Sequence, residues 1–141
     1  MARIKLIFPE IICFQTTIPV RITDLNYGNH VGNDAIVSML HEARVQWLNA
    51  GGFNEMDAAG SGLIQADLLV QYLNESFYGD QLHLEISIGE ISTSTFEVYY
   101  RMRRTSDNNN IALAKTTLCC FDYTLRKPRP IPDLFKQFLL G

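Results

Sequence analysis

The stretch Asp24-Leu25-Asn26-Tyr27-Gly28-Asn29-His30-Val31-Gly32-Asn33-Asp34 concentrates groups that could do chemistry. Asp24 and Asp34 are carboxylates, His30 an imidazole, and Asn26, Asn29 and Asn33 amides. A carboxylate or a neutral imidazole can take a proton from water; an amide or a backbone N–H can polarise a carbonyl. The stretch runs into a helical pattern, with Asp34 placed as its N-cap. The first N–H groups of a helix have no intrahelical acceptor. Together with the positive end of the helix dipole, they suit a developing negative charge such as an ester or thioester oxyanion. Asn29, Asn33 and Asp34 would also serve simply to cap the helix and close a turn, so the loop alone does not decide between chemistry and architecture.

The flanking elements must hold this loop. Before it, Ile12 to Ile22 alternates as a half-buried strand, with Pro19 marking an edge or bulge. After it, Ala35 to Asn49 reads as a helix with Ile36, Leu40, Ala43 and Trp47 on one stripe, widened by Val37 and Met39. His41, Glu42, Arg44 and Gln46 fall on its flanks, and Ala50-Gly51-Gly52 stops it. Phe53 to Gly62 is expected to be a loop with one short helical turn at Asn54 to Ala58. Alternation from Ile64 to Tyr72, Leu82 to Ile88 and Phe96 to Met102 gives three strands. Turns are expected at Phe77–Asp80 and Asp107–Asn110. Ile111 to Tyr123 reads as a strand covered on both faces, so that Cys119 and Cys120 are packing residues. Pro128, Pro130 and Pro132 bar regular structure before a short terminal helix, Ile131 to Leu140. One helix followed by consecutive strands is an α+β pattern, an antiparallel sheet curled about a central helix.

Asp24, His30, Val31 and Asn33 stand in register with D-x-D-x-x-x-H-V-x-N, and the segment resembles the active-site signature of the hot-dog-fold acyl thioesterases. Versions of it occur in the 4-hydroxybenzoyl-CoA type and in the plant acyl-carrier-protein type. The likeness continues through Glu42-Ala43-Arg44, Tyr72…Gly79-Asp80 and the ending Asp122, Arg126, Pro128. It implies a five-stranded antiparallel sheet wrapped around one long helix, thioester hydrolysis, and subunits that join their sheets as a homodimer or a dimer of dimers. It also implies that the Asn33 N–H polarises the carbonyl. Where the family has a catalytic Asp, this chain has Asn26, which is neither nucleophile nor base at neutral pH. Gly28 replaces an Asn of the plant type. Tyr72…Glu75 reproduces the plant-type spacing of a strand Tyr and an active-site Glu, while the Cys that follows in that type is Ser76 here. Glu75 is therefore the expected general base, with His30 and Asn26 orienting water or carbonyl, and Asp24 the alternative base. Tyr27 and Gly28 are candidate substrate contacts. Arg103, Arg104, Arg126 and Lys127 are candidates for the phosphates of coenzyme A, which enters as part of the substrate and not as a cofactor.

The whole chain narrows the rest. Its 141 residues are expected to form a single domain, 1–141, and 47% hydrophobic with 19% charged residues is globular composition. A net charge of −3 argues against nucleic acid as a partner. No run approaches the ~20 apolar residues of a membrane span, and Pro9-Glu10 interrupts any signal-peptide pattern. Three cysteines make no disulfide framework, so a cytoplasmic location is expected. No metal-ligand spacing and no G-x-S-x-G elbow occurs; His41 and His83 read as solvated surface groups. The expected substrate is a fatty or aromatic acyl-CoA. The rivals are acyl-carrier-protein thioester hydrolysis and non-hydrolytic binding of an acyl thioester.

Overall fold

The computed structural model describes residues 5–141; the first four residues of the N-terminal lead-in lie outside it. In chain order the elements are β1 (Phe14–Pro19), a 3-10 turn (Ile22–Asp24), α1 (Asn33–Ala50), β2 (Gly62–Tyr72), β3 (Gln81–Ile91), β4 (Thr95–Arg104), β5 (Asn110–Asp122), β6 (Lys127–Pro128) and α2 (Asp133–Leu140). The strands pair antiparallel in the order β1-β3-β4-β5-β2, with β6 added to the end of β5. Alternation dictates the inner face. Leu82, Leu84 and Ile86 on β3 and Phe96, Val98, Tyr100 and Met102 on β4 are completely buried, as are Ala43 and Leu48 on α1. The sheet curls about α1, whose stripe of Ile36, Met39, Leu40, Ala43 and Trp47 fills the concave side.

The C-terminal end of α1 is locked by aromatic packing. Trp47 stacks on Phe138 of α2 at 5.1 Å between centroids, and Phe53 meets Phe135 edge-on at 5.1 Å. Gly51 is required there, because a Cβ at that position would run into the Phe138 ring.

The outer face of the sheet is crossed by the segment ahead of β1. Cys13 N–H donates to Ile86 C=O at 2.8 Å, the Ser87 hydroxyl donates to Ile11 C=O, the Arg101 guanidinium lies 4.4 Å from the Phe8 ring centre, and Leu6 N–H donates to Gln71 Oε1 at 2.9 Å. Beneath this strap Glu85 is buried and paired with Arg101 and Arg103, each at 2.8 Å.

Several details differ from expectation. α1 begins at Asn33 with Gly32 as N-cap, so Asp34 sits in the first turn and caps nothing. An extended ψ of 154° at Gly32 breaks the helix one step earlier than an Asp34 cap would. Residues 53–62 hold no helical turn; the bridges Asn54↔Asp57 and Ala58↔Ser61 fold them as two tight reversals. β1 is shorter than Ile12–Ile22, since the 3-10 turn takes up Ile22. Prolines did not prevent β6, a two-residue pairing in which Pro128 faces Phe121. Arg44 is buried and not on a solvated flank. His41 is exposed but bound to Glu55 at 2.9 Å. Among the described residues no helix is long and apolar enough to cross a membrane.

Candidate active site

The loop ahead of α1 is closed by its own backbone. A bridge joins Leu25 to Val31, Asn26 N–H donates to His30 C=O at 2.9 Å, and Gly32 N–H donates to Asp24 C=O at 3.0 Å. Asn29 takes a positive φ of 62° at the tip, a conformation that Asn tolerates better than most residues. The Asn26 side chain turns back into this loop, its Oδ1 accepting from Gly28 N–H at 2.9 Å. Asp24 is buried and occupied: its carboxylate accepts from the Arg21 backbone N–H at 2.8 Å and from Arg21 Nη2 at 3.4 Å.

A second loop is brought against the first by one hydrogen bond, Val31 N–H to Ser76 C=O at 2.8 Å. This loop, residues 73–80, is fixed by two side chains. Asp80 accepts from Ser76 Oγ at 3.0 Å and from Phe77 N–H at 2.9 Å. Arg104 Nη1 donates to Glu75 C=O at 2.7 Å, while its Nη2 pairs with Asp107 at 2.9 Å. The Asp107 hydrogen bond raises the Arg104 pKa above its ordinary value, and Arg104 in turn lowers that of Asp107.

Between the two loops and the start of α1 lies a cavity of about 210 Å³, lined by His30, Val31, Asn33, Ile36, Tyr72, Leu73, Asn74, Glu75, Ser76 and Ile111. The His30 Nδ1 is 3.1 Å from Val31 C=O. A carbonyl only accepts, so Nδ1 carries the proton and Nε2 holds the lone pair of the neutral ring. Tyr72 donates its hydroxyl to Asn33 C=O at 3.2 Å, clamping β2 to the first turn of α1. No side chain caps that turn, and among the described residues the N–H groups of Asn33, Asp34 and Ala35 have no acceptor. Gly32, the N-cap, has no side chain to cap that turn, and the Asp34 carboxylate lies where a Cβ on the glycine would sit.

The cavity thus assembles His30, Asn33 and Glu75. It does not include Asp24 or Asn26: Asp24 lines a separate groove between β1 and α1 with Arg21, Ser38 and Glu42. Gly28 sits beside the His30 ring and Asn26 Oδ1, and Tyr27 is fully exposed. Arg103 belongs to the outer face with Glu85, and Arg104 holds the Glu75 loop. Arg126 and Lys127 lie past the end of β5, at the opposite end of that strand from Ile111. Three polar lining residues are not among the expected site residues: Tyr72, Asn74 and Ser76. Tyr72 was detectable, because the alternation of β2 puts it on the α1 side; Asn74 and Ser76 lie in irregular backbone and gave no periodic signal. Among the described residues no three His, Cys, Asp or Glu side chains cluster as metal ligands.

Residues 20–139 match the model of the thioesterase-like superfamily. The chain is 29% identical over 121 residues to the 1,4-dihydroxy-2-naphthoyl-CoA hydrolase of Acaryochloris marina, covering 80% of this chain and 85% of that one. Its fold is similar to that of the 1,4-dihydroxy-2-naphthoyl-CoA thioesterase of Synechocystis, with a TM-score of 0.84 and 20% identity over 91% of this chain and 96% of that one. A Staphylococcus aureus protein solved with coenzyme A matches at a TM-score of 0.83 and 14% identity, covering 90% and 81%. With a family match across most of its length and the hot-dog arrangement of sheet and helix, the chain belongs to the thioesterase-like superfamily.

Proposed function

We infer that this protein, a thioester hydrolase by family, cleaves fatty or aromatic acyl-CoA by direct attack of water. The observation that carries the reading is the cavity in which a bare helix start, a carboxylate and an imidazole face the same space. The acyl carbonyl oxygen accepts from the Asn33 N–H, where the helix dipole favours the charge that develops. Glu75 takes one proton from water as its oxygen bonds to the carbonyl carbon, with His30 Nε2 and Tyr72 orienting the attacking water. The tetrahedral intermediate collapses with cleavage of the C–S bond, and the departing thiolate recovers the proton from Glu75. No acyl-enzyme forms on Ser76 or Asn26, since Ser76 is bound to Asp80 and Asn26 is turned into its own loop.

Among the described residues no Lys or Arg lines the cavity, and nearby Arg104 is committed to Glu75, Asp80 and Asp107. A homodimer supplies cations. β2 stands at one end of the sheet, and pairing two such edges about a twofold axis sets Gly62 of one subunit near Tyr72 of the other. Arg129, which donates to Gly60 C=O at 3.2 Å, and its neighbours Arg126 and Lys127 then approach the second subunit's cavity and can meet the CoA phosphates. Three free thiols suit a reducing compartment such as the cytoplasm.

The test is turnover of an acyl-CoA panel, aliphatic and aromatic, beside binding of a non-hydrolysable thioether analogue. Glu75→Gln should lower kcat by ~10²-fold or more with little change in KM. Tight analogue binding by an inert wild type would replace hydrolysis by the acyl-thioester-binding reading.

A further inference from the structure

α1 and β2 are the two walls of a trough that has the reaction cavity at one end. Asn33, Ile36, Val37, Leu40 and Arg44 recur at helical spacing along one side of α1, and Tyr72, Val70 and Leu68 share one face of β2. Leu68 and Tyr72 are 36% and 42% exposed, so this side of the trough is open to a ligand or a second subunit. A second cavity of about 200 Å³, distinct from the first, lies further along the same two walls, bounded by Val37, Leu40, Leu68, Arg44, Gln65 and Thr116, with His41 at its rim.

The far end is polar, and its hydrogen bonds are directional. Arg44 is only 6% exposed. Its Nε donates to Glu55 at 3.1 Å, and Nη1 donates to Gln65 Oε1 at 3.3 Å and to the Tyr100 oxygen at 3.1 Å. Burial raises the Tyr100 pKa, so its phenol keeps the proton that it can donate to Thr116 Oγ1 at 2.9 Å. Thr116 then has its own O–H to offer the cavity. Arg44 Nη2, with two N–H groups, has no partner among the described residues and is not among the atoms sealed without one. Nη2 therefore faces the cavity, where its two N–H groups are free to donate to water or to an acceptor on a ligand that displaces it.

We infer that the trough binds an acyl group carrying an uncharged oxygen, hydroxyl or keto, far from its thioester, with Arg44 and Thr116 as the specificity-determining residues. This rests on the thioesterase reading above. Charge selects a neutral oxygen: Glu55 already balances Arg44, so a carboxylate would bring an unmatched negative charge into the trough. Length selects a medium chain. Asn33 to Arg44 rises about 16 Å along the helix, and Ile111 to Thr116 spans about 16 Å along β5. With C–C bonds of ~1.5 Å, an extended chain gains about 1.3 Å per carbon, giving roughly ten to twelve carbons.

The experiment compares kcat/KM for dodecanoyl-CoA, 12-hydroxydodecanoyl-CoA and the mono-CoA thioester of dodecanedioic acid. The hydroxylated chain should exceed the plain one by about tenfold or more, the scale of one buried hydrogen bond to a charged donor, and should exceed the dioic chain. Arg44→Lys, which keeps a charge opposite Glu55 but removes Nη2, should bring the hydroxyl preference to about one; if that variant does not fold, Thr116→Val is read in the same way. A wild-type ratio of one or below, a ratio unchanged in the folded variants, or a preference for the dioic chain would each overturn the subsite. So would an activity confined to short acyl groups, as expected if a second subunit fills the trough. If no thioester is hydrolysed, the hydrolase reading fails separately. The subsite is then decided by calorimetry with dodecyl and 12-hydroxydodecyl thioethers of CoA: tighter binding of the hydroxylated analogue supports it, and equal or weaker binding overturns it.

Discussion

Replacing Asn33 by proline removes one N–H and little else, because Asn33 is the first residue of α1 and Gly32 before it is already extended. Proline is favoured at that position of a helix and tolerates an extended predecessor. The Tyr72 hydrogen bond, made to the Asn33 carbonyl, is untouched. Asn33→Pro should therefore fold and lose ~10²–10³ in kcat, whereas Asn33→Ala keeps much of its activity. Equal losses in both folded variants would assign the role to the side chain instead. Asp24→Asn weakens the acceptor of the Arg21 N–H and should lower thermal stability while sparing kcat. A folded, inactive Asp24→Asn beside an active Glu75→Gln would reverse the assignment of the base. Asn26→Asp should be tolerated, since a carboxylate accepts from Gly28 N–H as an amide does.

At the scale of elements, the two loops are only as precise as their fastenings. Arg104→Met frees the Glu75 carbonyl and leaves Asp80 and Asp107 without their cation, so kcat should fall about tenfold through misplacement of Glu75, with KM nearly constant. An equal rise in KM would return Arg104 to substrate binding. At the other end of α1, Trp47→Ala should cost about 3–5 kcal/mol in denaturant unfolding, because it removes the platform on which Phe138 stacks. The two-residue β6 is too short to show a period, whereas the five long strands and both helices were legible because period-two and helical spacing report burial locally. So was the order of elements that places His30 and Asn33 at the start of α1. What was not legible depends on residues remote in sequence. Arg44 looked like a flank residue because its partners Glu55, Gln65 and Tyr100 lie 11, 21 and 56 positions away. Arg104 looked like a free cation because Glu75 is 29 positions away. The cap was misplaced by a short-range competition: Gly32 closes the loop through its own N–H, so the helix opens before Asp34.

For the molecule as a whole, the outer face adds a pH dependence to stability. Burial alone would raise the Glu85 pKa, but hydrogen bonding to Arg101 and the charges of Arg101, Arg103 and His83 outweigh it and leave it lowered. A carboxylate lowered on folding contributes stability above its unfolded pKa and loses it as pH falls through the folded one. Wild type should therefore lose more stability below about pH 4.3 than Glu85→Gln does, measured by thermal unfolding across acid pH. Assembly is read separately: sedimentation should give at least twice 16.0 kDa at micromolar concentration, and a monomer alone would remove the dimer from the proposed mechanism. The strap also bears on how that measurement is set up. Leu6 is held against Gln71, on the same strand whose edge is proposed to join two subunits. An affinity tag fused ahead of the chain is tied to Leu6 by only a few residues, while one fused after Gly141 follows α2 beside Ile12 and Ile88, at the opposite end of the sheet from β2. Purification through the C-terminus is the choice that leaves the oligomer to be observed and not created or blocked by the handle.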